Sequence, residues 1–380
     1  MRNLLAAAVT AIVFACGTAH ADPSTDADAA LDRALGKLVA MKGGPLSVVA
    51  IVQRGDDLKV HSYGTAKDGV NRPASADMHM RVASVAKAFS GAVALSLVKR
   101  GALSLDDTIG QRLPDLPAAW ANITLRQLLG HTSGLPDFSQ TRKFRKALQQ
   151  SLLEAPKPRA LLEFIKGRVP TFTPGSRYRY SNTDNVIVAL MVQAALDKPY
   201  NEALKDQVYD PLGLTETSLP RGAKMPRPFI HGYDNDPDAT PPEDYSEVIA
   251  AGWAWASGGV ISTPAELNRF IRGYVGGELF DRKIRAEQRA VIDGAHSEPP
   301  GPGENSAGLA IFRYETKCGT MWGHTGNTAG YTQFAAASGN GSRSVTVSIN
   351  RQTTPDNGAP GVFRALRQAE ELAVCAAFAK

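Results

Sequence analysis

Residues 81–101, RVASVAKAFSGAVALSLVKRG, read as one helix with a serine at its start. Apolar residues recur at Val85, Phe89, Val93 and Leu97, which is helical spacing. Lys99, Arg100 and Gly101 then close the helix, as basic residues and glycine commonly do. Ser84 therefore stands where free backbone N–H groups and the positive end of the helix dipole face outward. Lys87 follows one turn later on the same face. A hydroxyl so placed can give its proton to the neighbouring amine, as a serine nucleophile requires. The S-x-x-K pattern means little alone, because Ser96-Leu97-Val98-Lys99 fits it too. Ser96 falls in the last turns, where a hydroxyl is expected to be merely solvated.

Two later motifs extend this site. Tyr180-Ser181-Asn182 follows Pro174-Gly175 and precedes the apolar helical run Val186–Leu196, so it reads as a loop entering a helix. A second Y-x-N, Tyr233-Asp234-Asn235, lies in an Asp/Pro-rich loop and is set aside. His324-Thr325-Gly326 is expected at the end of a strand, with glycine letting a substrate backbone approach the strand edge. Each piece has a bland explanation taken singly. Their order, S-x-x-K, Y-x-N, H-T-G, is specific, and parallels the S-x-x-K, S-D-N and K-T-G set of penicillin-recognising enzymes.

On these residues the chain resembles the serine β-lactamase-like family: class C β-lactamases, secreted D-alanyl-D-alanine carboxypeptidases, D-aminopeptidases and some esterases. The similarity runs from about Leu31 to Cys375 and includes Leu128-Leu129-Gly130-His131-Thr132-Ser133-Gly134-Leu135 and Gly323-His324-Thr325-Gly326-Asn327. The resemblance implies an α+β, β-lactamase/transpeptidase-like fold. Such a fold has an antiparallel sheet flanked by N- and C-terminal helices, a mostly helical lobe, and the active site in the cleft between them. It implies catalytic roles for Ser84, Lys87, Tyr180, Asn182 and His324, and substrate contacts at Thr325, Asn327 and Trp253. Histidine at 324 resembles the secreted carboxypeptidases, where class C β-lactamases carry lysine. Those carboxypeptidases share Trp253 and the Cys318/Cys375 placement. Two departures concern the substrate: Ile311-Phe312-Arg313 replaces a basic run, and Asn327 stands where threonine is usual.

The hydrophobic pattern agrees with this architecture. Asp26–Met41 reads as a helix, and Leu46–Val52 as a strand covered on both faces, paired with Asp57–Tyr63. Ala307–Tyr314, Thr320–His324, Tyr331–Ala337 and Ser344–Ile349 read as strands, and Val362–Ala373 as a last helix. The expected organisation is a leader over 1–21 and one catalytic domain over 22–380. Its strand-rich lobe takes 26–83 and 291–380, and its helical lobe 84–290.

Arg2, the apolar run Leu4–Ala15 and Ala19-His20-Ala21 compose a secretory signal cleaved near Ala21. The expected location is secreted or periplasmic, with no stable membrane span in the mature form. Cys318 and Cys375 then form an even pair in an oxidising compartment, where a disulfide is expected. A net charge of +5, from 42 basic and 37 acidic residues, leaves no nucleic-acid footprint. The run Arg142-Lys143-Phe144-Arg145-Lys146 is taken as a solvated helix face. No metal-binding spacing occurs among the histidines and cysteines, so no cofactor is expected. There is no G-x-S-x-G, which argues against an α/β-hydrolase.

The expected activity is a D-alanyl-D-alanine carboxypeptidase-like peptidase of peptidoglycan peptides, acting through a Ser84 acyl-enzyme. Its oxyanion would lie between the N–H groups of Ser84 and Asn327. Small peptides, β-lactams and esters are the candidate substrates. A β-lactamase or esterase on the same scaffold, and a silent peptidoglycan- or partner-binding protein, are the alternatives.

Overall fold

The computed structural model describes residues 23–357, 359 and 361–379; the leader expected over 1–21 lies outside them. Helix α1 (Pro23–Ala40) buries Leu31, Leu35 and Leu38 completely. Strands β1 (Ser47–Arg54), β2 (Asp57–Lys67) and β3 (Val70–Pro73) follow as an antiparallel run. The short β4 (Met80–Arg81) leads through a 3-10 turn at Ala83–Val85 into α2 (Ala86–Lys99). The middle of the chain supplies α3 (Arg142–Gln150), α4 (Asn182–Leu196), β5 (Ile261–Ser262) and α5 (Pro264–Gly276). The chain then returns to strands: β6 (Ile292–Asp293), β7 (Glu304–Ala307), β8 (Phe312–Thr316), β9 (Gly319–Thr328), β10 (Tyr331–Ala337) and β11 (Arg343–Ile349). Helix α6 (Val362–Phe378) ends it.

Nine strands form one sheet in the order β3-β2-β1-β11-β10-β9-β8-β7-β6, every neighbour antiparallel. The two ends of the chain meet at its centre, where Val48 lies opposite Ile349 and Arg54 opposite Arg343. Because side chains alternate along a strand, Val48, Ala50 and Val52 face α1 and α6 together with Val345, Val347 and Ile349. Val49 and Ile51 face the other way, into a cluster with Met78, Met80 and Ile230. Burying each such side chain contributes about 1.5–3 kcal/mol. The sheet with its two terminal helices is the β-lactamase/transpeptidase-like fold. Among the described residues no helix is long and apolar enough to cross a membrane.

Four details differ from the sequence reading. The apolar stripe on α2 suggests one buried face, yet every residue from Ala86 to Leu97 is buried. Most positions between the stripe are Ala, Ser or Gly, so neighbours close in on all sides; a Cβ at Gly91 would lie 2.4 Å from that of Ala310. Ser96 is accordingly buried instead of solvated. The strand expected over Ala307–Tyr314 is broken into β7 and β8. At Gly308–Ile311 the backbone turns away, with Leu309 N–H on Gln288 O, Ala310 N–H on Leu129 O, and Ala310 left-handed at φ +52°. Finally, α5 belongs by sequence to the stretch expected as helical lobe, yet it lies on β10, β11 and β1. Its Leu267, Phe270 and Ile271 are buried there, so the helical stretch itself covers the second face of the sheet.

Cys318, in the turn between β8 and β9, is joined to Cys375 of α6, closing a loop of 57 residues. Loop-closure entropy puts that cross-link at about 4 kcal/mol. Replacing both cysteines by alanine is expected to lower the unfolding free energy by roughly 2–4 kcal/mol in urea titrations. An unchanged midpoint would show that the bridge adds nothing.

Candidate active site

The site begins with a strained turn. Ala83 has φ +50°, a left-handed conformation costing a non-glycine residue about 1–3 kcal/mol, and Ser84 follows it. Strand β9 presses on this turn from behind. A Cβ on Gly326 would stand 2.5 Å from Val82 O and 2.8 Å from Ser84 N. Only glycine fits there, and the fit brings Asn327 to the edge of the cavity that Ser84 also lines.

Lys87, on the first turn of α2, is completely buried. Its Nζ lies 3.0 Å from Ser84 Oγ, 2.8 Å from Asn182 Oδ1 and 2.8 Å from the carbonyl oxygen of Ser257. The Asn182 amide is oriented by its own partners, since Nδ2 donates to Asp137 Oδ2 at 2.9 Å and to Ser139 Oγ at 3.1 Å. Its Oδ1 must therefore face the lysine. Two of the three neighbours of Nζ are thus acceptors only. A neutral amine has two N–H bonds and one lone pair, so the lone pair is left for the Ser84 hydroxyl. Burial lowers the Lys87 pKa from the ordinary 10.5 to about 7, against the pull of Asp137, Glu298 and Asp184.

Tyr180 is buried directly before α4, and Lys87 Nζ lies 4.8 Å from its ring centre. Its hydroxyl makes no full hydrogen bond, and Ser84 is the side chain that acts on it. Burial raises its pKa well above the ordinary value, so the phenol keeps its proton. The segment that carries it is anchored by the 131–133 turn. Arg179 N–H donates to His131 O at 2.8 Å, His131 Nδ1 lies 2.9 Å from Asp184 Oδ2, and Ser133 Oγ donates to Asp184 Oδ1 at 2.5 Å. The His131 ring packs on Tyr180 at 4.6 Å, and burial pushes its pKa down to about 3.

The structure thus brings Ser84, Lys87, Tyr180 and Asn182 together, and Asn327 and Trp253 line the cavity beside them. Two expected residues are placed differently. His324 lies within β9 instead of at a strand end, fully buried, with Nδ1 bonded to Thr325 O and its ring against Phe312. Burial holds its pKa well below the ordinary value, so it is neutral and offers no cation to a carboxylate, while its ring lies 6.4 Å from that of Tyr180, where the expected alternative of a proton relay stays open. Thr325 Oγ1 is bonded to Ser297 Oγ and Pro299 O, which removes it from substrate contact. Sequence reasoning missed Asp137, Ser139 and the Ser257 carbonyl. The first two orient an amide and the third is backbone, so none carries a side-chain motif. The His131 turn, present in the sequence reading only as part of a family-like stretch, packs on Tyr180 and anchors its segment.

The cavity beside Ser84 measures about 230 Å³. Phe138, Phe144, Leu148, Ile249 and Trp253 form its apolar wall. Arg81 is the basic side chain on it, and its guanidinium is spent on the backbone oxygens of Ala223, Ser246 and Ile249.

A sheet of this topology carrying an S-x-x-K turn against its β9 strand defines the serine hydrolases of the β-lactamase/transpeptidase fold. The chain belongs to the Beta-lactamase family, whose model matches residues 31–369. Penicillin-binding protein 4* of Bacillus subtilis is 28% identical over 238 residues, covering 58% of this chain and 50% of its own. The D-alanyl-D-alanine-carboxypeptidase/endopeptidase AmpH of Escherichia coli is 24% identical over 77% of this chain and 74% of its own. The chain thus spans half the length of the first relative and about three quarters of the second. Among solved structures, a D-stereospecific amidohydrolase from Streptomyces sp. superposes with TM-score 0.77 at 26% identity, covering 90% of this chain and 98% of its own. The D-amino acid amidase of Ochrobactrum anthropi SV3 superposes with TM-score 0.79 at 22% identity, covering 92% and 98%.

Acylation by an activated ester is expected to rise with pH through about 7 and to level off above it, as Lys87 loses its proton. Single-turnover rates across pH 5–10 check this, and a half-point near the ordinary lysine value of 10.5 would contradict it. The same shift makes stability rise with pH between about 7 and 10.5, because the unfolded chain binds the extra proton there. Urea titrations of Lys87→Met should lack that part of the slope. Gly326→Ala, whose Cβ would push β9 away from the Ser84 turn, is expected to lower kcat by about 10²–10³ in steady-state assays, and an unchanged kcat would show that this close approach is not needed.

Proposed function

We propose that the chain hydrolyses small amides of D-amino acids through an acyl-enzyme on Ser84. The observation that carries this reading is the lone pair of Lys87, left for Ser84 by two acceptor-only neighbours. Neutral Lys87 takes the Ser84 proton as Oγ attacks the carbonyl carbon. The oxyanion forms between the N–H groups of Ser84 and Asn327. The C–N bond then breaks, and the leaving nitrogen takes a proton from the Lys87 ammonium, with the Tyr180 hydroxyl beside it as relay. Water, deprotonated by the same amine, attacks the ester and frees Ser84.

The surroundings favour one kind of amide. The leaving nitrogen must face Tyr180, which does not line the cavity, so the cavity holds the acyl part. Its apolar wall fits a hydrophobic side chain. The titratable groups that bear on Lys87 are Asp137, Glu298 and Asp184, and burial raises the pKa of the last two. The basic run expected to meet a terminal carboxylate, as in D-alanyl-D-alanine, is interrupted: Ile311 is a buried hydrophobe, and Arg313 is paired with Asp293. These observations favour a D-amino acid amide or an amino-terminal residue over carboxypeptidase action. The names of the relatives, which span a carboxypeptidase/endopeptidase and a D-amino acid amidase, support the wider class. Export follows from the expected leader and fits such a substrate outside the cytoplasm.

Intact mass after incubation with benzylpenicillin should show one adduct on the wild type and none on Ser84→Ala. An unlabelled wild type that also turns over no amide or ester would favour the silent binding protein. D-phenylalanine amide should then be hydrolysed faster than acetyl-D-Ala-D-Ala or a chromogenic cephalosporin; the reverse order would restore the carboxypeptidase or β-lactamase reading. Phe144→Ala should raise KM for D-phenylalanine amide by about ten-fold or more through the lost apolar contact.

A further inference from the structure

The positive charge of the chain is concentrated in one stretch of sequence. Between residues 141 and 180 stand ten Lys and Arg against two acids, an excess larger than the +5 of the whole sequence. All ten are exposed. Four of them, Arg142, Lys143, Arg145 and Lys146, lie on α3, and none of the four makes an ion pair among the described residues. Of the six that follow, only Arg159 and Lys166 are paired, with Asp115 and Glu163. The placement works against helix stability, since Arg142 and Lys143 occupy the first turn of α3, where the dipole already presents positive charge. A solvated face chosen for stability would carry acids there.

The same helix walls the cavity. Phe144 and Leu148 of α3 line it, and Phe144 packs edge-on against Phe164 and Trp253. In sequence the basic residues continue from α3 through the 3-10 helix Pro158–Ile165 to Arg179, directly before Tyr180. Of this segment it is α3 that walls the cavity of Ser84, whereas Arg159 and Lys166 lie with Asp115 and Trp120 at a separate depression.

We propose that the exposed basic face of α3 is a docking surface for an anionic polymer bearing phosphate groups, which holds the cavity mouth against the polymer. A flat bilayer fits less well. The apolar face of α3 is turned inward, so the helix has none to lay into lipid, and Leu153 and Val169 are the exposed large hydrophobics of the segment. A polymer needs only a row of exposed cations, and binding through exposed charges falls as salt rises.

Long-chain inorganic polyphosphate, labelled with a fluorophore, tests this by anisotropy with the full chain at 50 and 300 mM salt. Binding is expected at the lower salt and strong weakening at the higher. The variant R142Q/K143Q/R145Q should bind at least ten-fold more weakly. A control neutralising Arg33, Lys37 and Lys283, which are exposed elsewhere, should bind as the wild type does. Hydrolysis of a small amide should be unchanged in both variants. Equal weakening in the two variants would overturn the proposal. So would absence of polyphosphate binding, or tight binding to phosphatidylglycerol vesicles without binding to polyphosphate. Loss of acylation at Ser84 would leave this surface untouched, so the two claims fail separately.

Discussion

An amine sealed from water against a serine hydroxyl is the constraint on which the rest of the site depends. An ammonium at that depth would lose its hydration for three hydrogen bonds, and burial makes the neutral form accessible near pH 7. The neutral form is useful only if its lone pair points at Ser84. The Asn182 amide and the Ser257 carbonyl see to that by taking both N–H bonds. Asp137 and Ser139 in turn fix which end of the amide faces the lysine.

These partners come from distant parts of the chain, and the fold exists to hold them in register. The sheet carries β9 to the Ser84 turn, where Gly326 removes the one atom that would keep them apart. Helix α4 starts at Asn182, and its Asp184 reaches back to His131 and Ser133. The Ser257 carbonyl ends a 3-10 turn that begins at Trp255, itself left-handed at φ +41°. Of the five left-handed non-glycine residues among the described residues, Ala83, His131 and Trp255 stand in segments that build or support the site. Strain concentrated in this way is maintained by the packing around it.

Much of this was legible in the sequence, for identifiable reasons. The helix of residues 86–99 announces itself by period, and the order of the three motifs names the site. Strand β1 is recognisable because both its faces are apolar. The alternation in β11 misleads, since Ser344, Thr346 and Ser348 are as buried as the valines between them. Polar residues usually mark a wet face, and here they mark a second packed layer. Motif recognition also placed His324 and Thr325 at the substrate, because residue type carries no information about burial. The contacts of Asp137 are equally invisible, because they depend on a loop brought near by tertiary packing.

The protonation state of one side chain decides the account. Carbon-13 labelling of the lysine side chains, with the Lys87 signal assigned through Lys87→Arg, allows its titration to be followed directly by NMR. The account predicts a midpoint near 7 for that signal. A midpoint near 10 would leave Lys87 charged at neutral pH and contradict its role as the base.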